Sequence, residues 1–277
     1  PAVLGALGLP WMDAILAVNF LYLLLAVWLG GSLVRHRFGP EAALVLPWVW
    51  LLCPGPVTYL LRGNHEPALA LGLVVALWGM DRAEEDWAGV TAAVLGAAWC
   101  VAVKGVVGML VLPCLGLWWL VGGREPRRLG AVVLASIGVA VFLAFYDSLY
   151  HYRTGRGFMQ TYLDIHLGYA REKEQGTLTA KAVNLGWYVA MALWLVMPWS
   201  VVLLRDVWLR LRARILPVPA TRALLACTLL VILFLSTFDR RSVRYAFTVV
   251  PFLALASAPA VVEGRPRVRA WLTRVKP

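Results

Sequence analysis

The feature that most constrains the fold is a series of nine apolar runs that follow one another through almost the whole chain. Runs such as Ile15–Trp28 and Ala223–Leu235 are continuous, whereas a membrane β-barrel shows alternating segments of about ten residues. Apolar and aromatic residues make up 61% of the chain and charged residues 15%, against about 45–50% and about 25% in a soluble domain. The sequence therefore excludes a soluble or disordered chain and predicts an all-α, polytopic integral membrane protein with about nine transmembrane helices.

The predicted spans form one transmembrane domain, residues 1–262, followed by a basic tail, residues 263–277. The spans are Met12–Val34, Ala42–Leu61, Pro67–Met80, Ala88–Val103, Val106–Val121, Leu129–Tyr146, Trp187–Leu204, Ala223–Thr237 and Tyr245–Val262. A single helix over Ala88–Val121 would be roughly 51 Å long, too long for a bilayer core of about 30 Å. Lys104-Gly105 is therefore predicted to break it.

The distribution of basic residues predicts the orientation of these spans. The net charge is +11, and sixteen of the 26 Lys and Arg residues fall in every second connection or in the tail. Because cytoplasmic loops carry the excess of Lys and Arg, that side is predicted to be cytoplasmic, with Pro1 outside. Nucleic-acid binding is not expected, because the basic residues are scattered between apolar spans instead of forming one face.

The longest outer connection, residues 147–186, is expected to have a task of its own in a chain with otherwise short loops. Phe158, Tyr162, Ile165 and Tyr169 recur at helical spacing within it. This pattern predicts an amphipathic helix that lies on the membrane surface. The sequence shows no internal repeat, which speaks against a transporter built from inverted repeats.

Lys104 is the strongest candidate for function, since about sixteen apolar residues flank it on either side. A lysine within apolar spans is energetically costly and is a functional candidate by default. Its compact ammonium suits a phosphate. The alternative is a lysine at the end of a span that extends its ammonium to the interface.

A second polar turn, from Arg62 to Pro67, lies on the same predicted face and contains His65 and Glu66. Pro67 suits the first turn of a helix, and the helix dipole favours a carboxylate there. Glu66 is either a simple helix cap or, with Arg62 and His65, part of a functional cavity.

A third polar turn on this face contains Asp239, Arg240, Arg241, Arg244 and Tyr245. Its arginines either bind lipid headgroups or Asp239, or clamp a phosphorylated ligand through bidentate contacts. Together the three turns predict an interfacial, extracytoplasmic site for an anionic amphiphile. The sequence contains no nucleophile elbow, metalloprotease helix, phosphate-binding loop or zinc spacing.

Several motifs of this chain resemble those of the GT-C superfamily of membrane glycosyltransferases. They are Arg37-Phe38-Gly39, Glu66-Pro67, Val103-Lys104-Gly105 with Leu112-Pro113, Trp187-Tyr188 with Met197-Pro198-Trp199-Ser200, and Arg244-Tyr245 with Pro251. The chain is most similar to the branch that contains aminoarabinose lipid A transferases and bacterial protein mannosyltransferase-like proteins. It departs from the family's Thr-Lys-Gly-Pro motif, because Val103 and Val106 replace the Thr and the Pro.

The resemblance implies a hexosyl- or pentosyltransferase that moves a sugar from a polyprenyl-phosphate donor to a hydroxyl of a lipid, glycan or protein. The reaction would take place at the outer face of the bacterial cytoplasmic (inner) membrane. Lys104 and Arg244 would bind the donor phosphate beside Tyr245, with Glu66 as the second acidic residue of the cavity. Arg240 and Arg241 are further candidates for binding the donor phosphate. A divalent metal is left open, since some relatives use one.

The principal catalytic base of such enzymes lies in a first outer loop that carries an Asp-Asp or Asp-Glu pair. The only early acidic residue here is Asp13. We therefore expect this chain to lack that base and to be an N-terminally truncated fragment. Two alternatives stay open: a transporter or flippase of an anionic lipid-linked substrate, and a non-catalytic membrane partner.

Overall fold

The computed structural model describes residues 10–162, 164, 178–238 and 241–264. Within these ranges all regular secondary structure is helical, which confirms the all-α class. In chain order the helices are α1 Trp11–Phe38, α2 Pro40–Leu51, α3 Pro54–Leu61, α4 Glu66–Arg82, α5 Trp87–Lys104, α6 Val106–Met109, α7 Val111–Gly122, α8 Pro126–Thr154, α9 Leu178–Leu195, α10 Trp199–Arg212, α11 Pro219–Ser236, α12 Val243–Ala246, a 3₁₀ turn Phe247–Val249 and α13 Val250–Glu263.

The helices include enough apolar spans for a multi-pass membrane protein. Among the described residues, five helices are long and apolar enough to cross a membrane, and two bent pairs raise that number to seven. Two further predicted spans correspond to shorter helices: α4 has 17 residues, and Val106–Gly122 joins α6 to α7. Lys104 ends α5, and Gly105 follows with a φ of 56°, so the predicted break is confirmed.

Two predicted spans are not straight helices. The prediction of one continuous span over Trp187–Leu204 is wrong, because α9 and α10 meet at an angle of 110°. Pro198 lies at this bend, where it has no N–H to continue the helix. The predicted span Ala42–Leu61 bends by 51° between α2 and α3, where Pro54 begins the second helix.

Helices α4 and α13 form the centre of the bundle. Residues 250–262 of α13 are all buried, and α4 packs closely against α5 through glycines on both helices. A Cβ added to Gly79 would lie 2.3 Å from the backbone nitrogen of Ala93. Such a close approach of backbones is typical of membrane helices with small residues at their interface.

Because α4 begins at Glu66 and ends at Arg82, it defines two ends of the bundle, the Lys104 end and the Asp81 end. At the Asp81 end the buried Asp81 accepts hydrogen bonds from His36, at 2.6 Å, and from Arg37. Buried Arg128 of α8 lies 3.7 Å from the same carboxylate and 2.5 Å from Glu84. This network joins three helices at one end.

The predicted outer connection, residues 147–186, begins and ends within helices. Helix α8 extends to Thr154 and α9 begins at Leu178, so both ends of residues 147–186 are helical. Residues 158–162 are also helical, whereas Ile165 and Tyr169 of the predicted amphipathic helix lie outside the described residues, as do residues 265–277 of the tail.

Candidate functional site at the Lys104 end

A buried ion pair between Glu66 and Lys104 lies at the centre of the candidate site. The ammonium Nζ donates a hydrogen bond of 2.6 Å to Glu66 Oε1, and the two side chains are 10% and 0% exposed. The first residue of α4 thus meets the last residue of α5. The second carboxylate oxygen, Oε2, is buried without a hydrogen-bond partner among the described residues. Glu66 therefore holds the lysine in place and does not cap its own helix.

The backbone that follows Lys104 is covered by Tyr162 from the helical residues 158–162. A Cβ added to Gly105 would lie 3.3 Å from the Tyr162 hydroxyl, so the glycine allows both its positive φ and this close approach. Burial raises the pKa of Tyr162, an effect that a hydrogen bond from the Val106 backbone opposes. Phe158, one turn earlier, packs edge-on against Tyr146 with ring centroids 4.7 Å apart. Aromatic contacts therefore hold this segment over the end of α5.

Tyr245 lies on the other side of the lysine, with its ring centroid 5.8 Å from Lys104 Nζ. This distance allows a cation–π contact. Tyr245 belongs to the short helix α12, which places Arg244 next to it.

The chain that leads into α12 is held by α9. Arg241 Nε donates a 2.6 Å hydrogen bond to Asn184 Oδ1, and Asn184 Nδ2 donates in turn to the Phe238 carbonyl at 2.9 Å. The Ser242 N–H donates to the Tyr188 hydroxyl at 3.4 Å. Asn184 and Tyr188 are buried, so α9 fixes the position of the arginine segment.

Arg62 and Arg244 lie at this end of the bundle, Arg62 in the turn before α4 and Arg244 in α12. The buried Tyr59, whose ring packs against Phe247 at 5.0 Å, lies within electrostatic range of Glu66, Arg62 and Arg244. Both arginines are exposed, and neither has an ion-pair partner in the part of the chain that the structure describes. The Lys104 end therefore carries two cations with free guanidinium groups beside one internally neutralised pair.

The other predicted site residues have different outcomes. His65 is exposed at the N-cap of α4 and makes no side-chain cap bond. Asp239 and Arg240 lie outside the described residues. Asp13 is exposed in the first turn of α1, and its neighbours Met12 and Ile15 pack near Gly63, so it lies at the Lys104 end.

Sequence reasoning missed Tyr59 and Asn184. Tyr59 stands inside an apolar run, where an aromatic residue is ordinarily part of the core. Asn184 stands just before a predicted span, and the one available signal was a polar amide within four residues of Trp187-Tyr188. Neither signal identifies a contact partner. Asn184, for example, accepts a hydrogen bond from Arg241, which lies 57 residues later in the chain.

The described residues contain no group of three or more His, Cys, Asp or Glu that could hold a metal ion. At the candidate site the buried carboxylate is Glu66, and its charge is already matched by Lys104. The metal left open by the sequence is neither supported nor excluded by this arrangement.

Neither a protein-family model nor a curated protein sequence matches the chain. Among solved structures, ArnT from Cupriavidus metallidurans bound to undecaprenyl phosphate matches 93% of this chain with a TM-score of 0.69 and 20% identity. The apo state of the same protein matches 94% with a TM-score of 0.63 and 23% identity. The chain spans about half the length of that ArnT, since 47% of the latter is covered in each case. The chain therefore has the fold of ArnT, which confirms the fold that the resemblance implies.

Proposed function

We propose that this protein is a GT-C-type glycosyltransferase that uses a sugar linked to a polyprenyl phosphate, and that its Lys104 end binds the phosphate. The observation that carries the proposal is that Lys104, paired with the buried Glu66, lies at the same end of the bundle as Arg62 and Arg244, which have no ion-pair partner among the described residues. The ArnT of the same fold is bound to undecaprenyl phosphate, which supports a polyprenyl-linked ligand for this chain as well.

The charges of the site define the roles of these residues. Lys104 and Glu66 together are neutral, so the net attraction for a phosphate comes from Arg62 and Arg244. An ammonium has three N–H donors, and Lys104 uses one on Glu66, which leaves donors for a phosphate oxygen. Tyr245 lies beside this ammonium and lines the site. Arg241, held by Asn184, adds positive charge, and we assign the same role to Arg240.

This arrangement supports bond cleavage by electrostatics. When the glycosidic bond to the donor phosphate breaks, negative charge develops on the departing lipid phosphate. Cations held in place before the reaction stabilise that charge. Deprotonation of the acceptor hydroxyl requires a separate base, and Glu66, paired with Lys104, is the second acidic group of the cavity. We do not assign the principal base to a residue of this chain.

The proposal also includes the location of the site. We infer that the Lys104 end faces the outside of the bacterial cytoplasmic membrane, because the excess of Lys and Arg lies in the connections at the opposite end. A lipid-linked donor in that leaflet would reach the ends of α4 and α5 directly. The acceptor would be a lipid, glycan or protein hydroxyl.

The test is the affinity of the purified protein for undecaprenyl phosphate, measured by native mass spectrometry in detergent. Arg62→Ala and Arg244→Ala are each expected to weaken binding about tenfold, the effect of losing one charge-assisted hydrogen bond. Arg212→Ala removes an exposed arginine of α10 and serves as the matched control. Unchanged affinity in both site variants would refute the phosphate site.

Transfer and transport assays separate the alternatives. Membranes with the full-length protein are expected to transfer sugar from a polyprenyl-phosphate donor, and Lys104→Ala is expected to abolish this transfer. Translocation of undecaprenyl phosphate across proteoliposomes without transfer would favour the flippase. Binding with neither activity would favour the non-catalytic partner.

A further inference from the structure

A buried asparagine of α1 lies at the Lys104 end. Asn19 is 5% exposed and stands within the apolar run Ile15–Trp28. A polar side chain inside a membrane helix is costly unless it is hydrogen-bonded, and it is a candidate for a functional role. The roles assigned above to the residues of the Lys104 end do not use Asn19, so its position calls for an explanation of its own.

Asn19 binds the turn that carries Arg62. Its amide Nδ2 donates a hydrogen bond of 2.9 Å to the backbone carbonyl of Asn64. This turn joins α3, which ends at Leu61, to α4, which begins at Glu66. The hydrogen bond therefore ties the backbone two residues after Arg62 to a membrane helix that lies 45 residues earlier in the chain.

The same face of α1 contacts this turn at a second point. Gly63 has a φ of 61°, and a Cβ added to it would lie 3.2 Å from Ile15 Cγ2 and 3.6 Å from Met12 Sδ. Met12, Ile15 and Asn19 follow one another at steps of three and four residues, so they share one face of the helix. An apolar contact and a hydrogen bond together fix residues 63 and 64 against α1.

Of the two charged groups on either side of this turn, Arg62 depends on it more than Glu66 does. Glu66 is held independently, by its place in the first turn of α4 and by the 2.6 Å hydrogen bond from Lys104. Arg62 is exposed, and it has no ion-pair partner in the part of the chain that the structure describes. The position of its guanidinium is therefore set by the backbone of the turn.

We infer that Asn19 is a positioning residue that holds Arg62 in place for the phosphate of the ligand. The role rests on the phosphate site proposed above, and Asn19 acts on that site only through Arg62. Helix α9 supplies the same kind of contact to the other arginine segment, since the buried Asn184 donates to the Phe238 carbonyl at 2.9 Å. A cation held in place binds an anion better than a mobile one, because less conformational entropy is lost on binding.

The test measures the affinity of the purified protein for undecaprenyl phosphate by native mass spectrometry in detergent. Asn19→Leu keeps the size of the side chain, suits an apolar helix and removes the donor. It is expected to weaken binding about threefold to tenfold, and at most as much as Arg62→Ala does. Phe20→Leu changes the exposed neighbour of Asn19 on α1 and, as the matched control, is expected to leave the affinity unchanged.

Double variants separate positioning from a general loss of folded protein. Asn19→Leu added to Arg62→Ala is expected to change the affinity no further, because the arginine through which it acts is already absent. Asn19→Leu added to Arg244→Ala is expected to weaken binding by the same factor as in the wild type. Equal further weakening in both backgrounds would overturn the inference, as would an unchanged affinity in Asn19→Leu alone.

Hydrogen–deuterium exchange tests the contact without any ligand. Asn19→Leu is expected to speed the exchange of the backbone amides of residues 63–65 and to leave the amides of α4 beyond its first turn unchanged. Unchanged exchange in residues 63–65 would overturn the role of Asn19 while the proposed function stands. A wild type that does not bind undecaprenyl phosphate would overturn the proposed function, and the role of Asn19 with it.

Discussion

Removal of the Lys104 ammonium is expected to destabilise the protein strongly, because it leaves a buried carboxylate without a counter-charge. Glu66 is fully buried, and Lys104 is its one ion-pair partner among the described residues. Breaking a buried pair by removing one partner typically costs about 3–5 kcal/mol. The lysine is 10% exposed, so solvent compensates little of this loss. Lys104→Met is therefore expected to lower the free energy of unfolding by about 3–5 kcal/mol.

The double variant isolates the cause. Glu66→Gln/Lys104→Met replaces the pair by neutral groups of similar size, and such replacements of buried pairs are often neutral or stabilising. We therefore expect the double variant to be closer to the wild type than Lys104→Met is. The difference between the double variant and the sum of the single variants measures the coupling of the two charges.

Thermal unfolding in detergent, followed by tryptophan fluorescence, measures these effects. A loss of this size corresponds to a decrease in Tm on the order of 10 °C. Lys181→Met is the matched control: this lysine of α9 is exposed, and exposed substitutions change stability by about 0.5 kcal/mol or less. A Tm for Lys104→Met equal to that of the control would refute the reasoning, as would a double variant as unstable as the sum of its parts.

Three further substitutions test other parts of the fold. Gly79→Ala should force α4 and α5 apart and destabilise the protein by about 1–3 kcal/mol, whereas Gly31→Ala, where a Cβ meets open space, should not; thermal unfolding distinguishes the two. Asp81→Asn should cost about 1–3 kcal/mol in the same assay, because Arg37 loses its nearest carboxylate while Arg128 keeps Glu84 at 2.5 Å. Asn184→Ala should weaken the binding of undecaprenyl phosphate, because it removes the hydrogen-bond acceptor that holds Arg241. Native mass spectrometry measures this affinity.

The helices were largely predictable, because long apolar runs and their breaks are local properties of the chain. Lys104-Gly105 marks the end of α5 in both the sequence and the structure. Pro198 is the sequence signal for the bend between α9 and α10. The residues around it are apolar enough for one continuous span, so the sequence did not show that the helix bends there. Hydropathy alone cannot distinguish a bent pair from a straight helix.

The composition of the site was predictable and its pairing was not. Lys104 was singled out by the energetic cost of a charge between apolar runs, Glu66 by its position at the start of a helix, and Tyr245 by the resemblance. The structure brings the three together. That Lys104 pairs with Glu66 depends on how α4 packs on α5, since 38 residues separate them. Arg128 illustrates the same limit: it counted in the sequence as one of several cytoplasmic arginines, yet it is 1% exposed and lies against carboxylates of α4 and the turn that follows it.

Exposed arginines without an ion-pair partner among the described residues lie at both ends of α4: Arg35 at one end, and Arg62 and Arg244 at the other. Each end has a buried carboxylate matched by a cation from a neighbouring helix. Around Asp81, the described Arg37, Arg128 and Glu84 all have an opposite charge within 4 Å, so folding alone accounts for this network. At the other end Arg62 and Arg244 are exposed without such a partner in the described ranges. The phosphate that we propose for this site would supply the counter-charge that these two arginines lack.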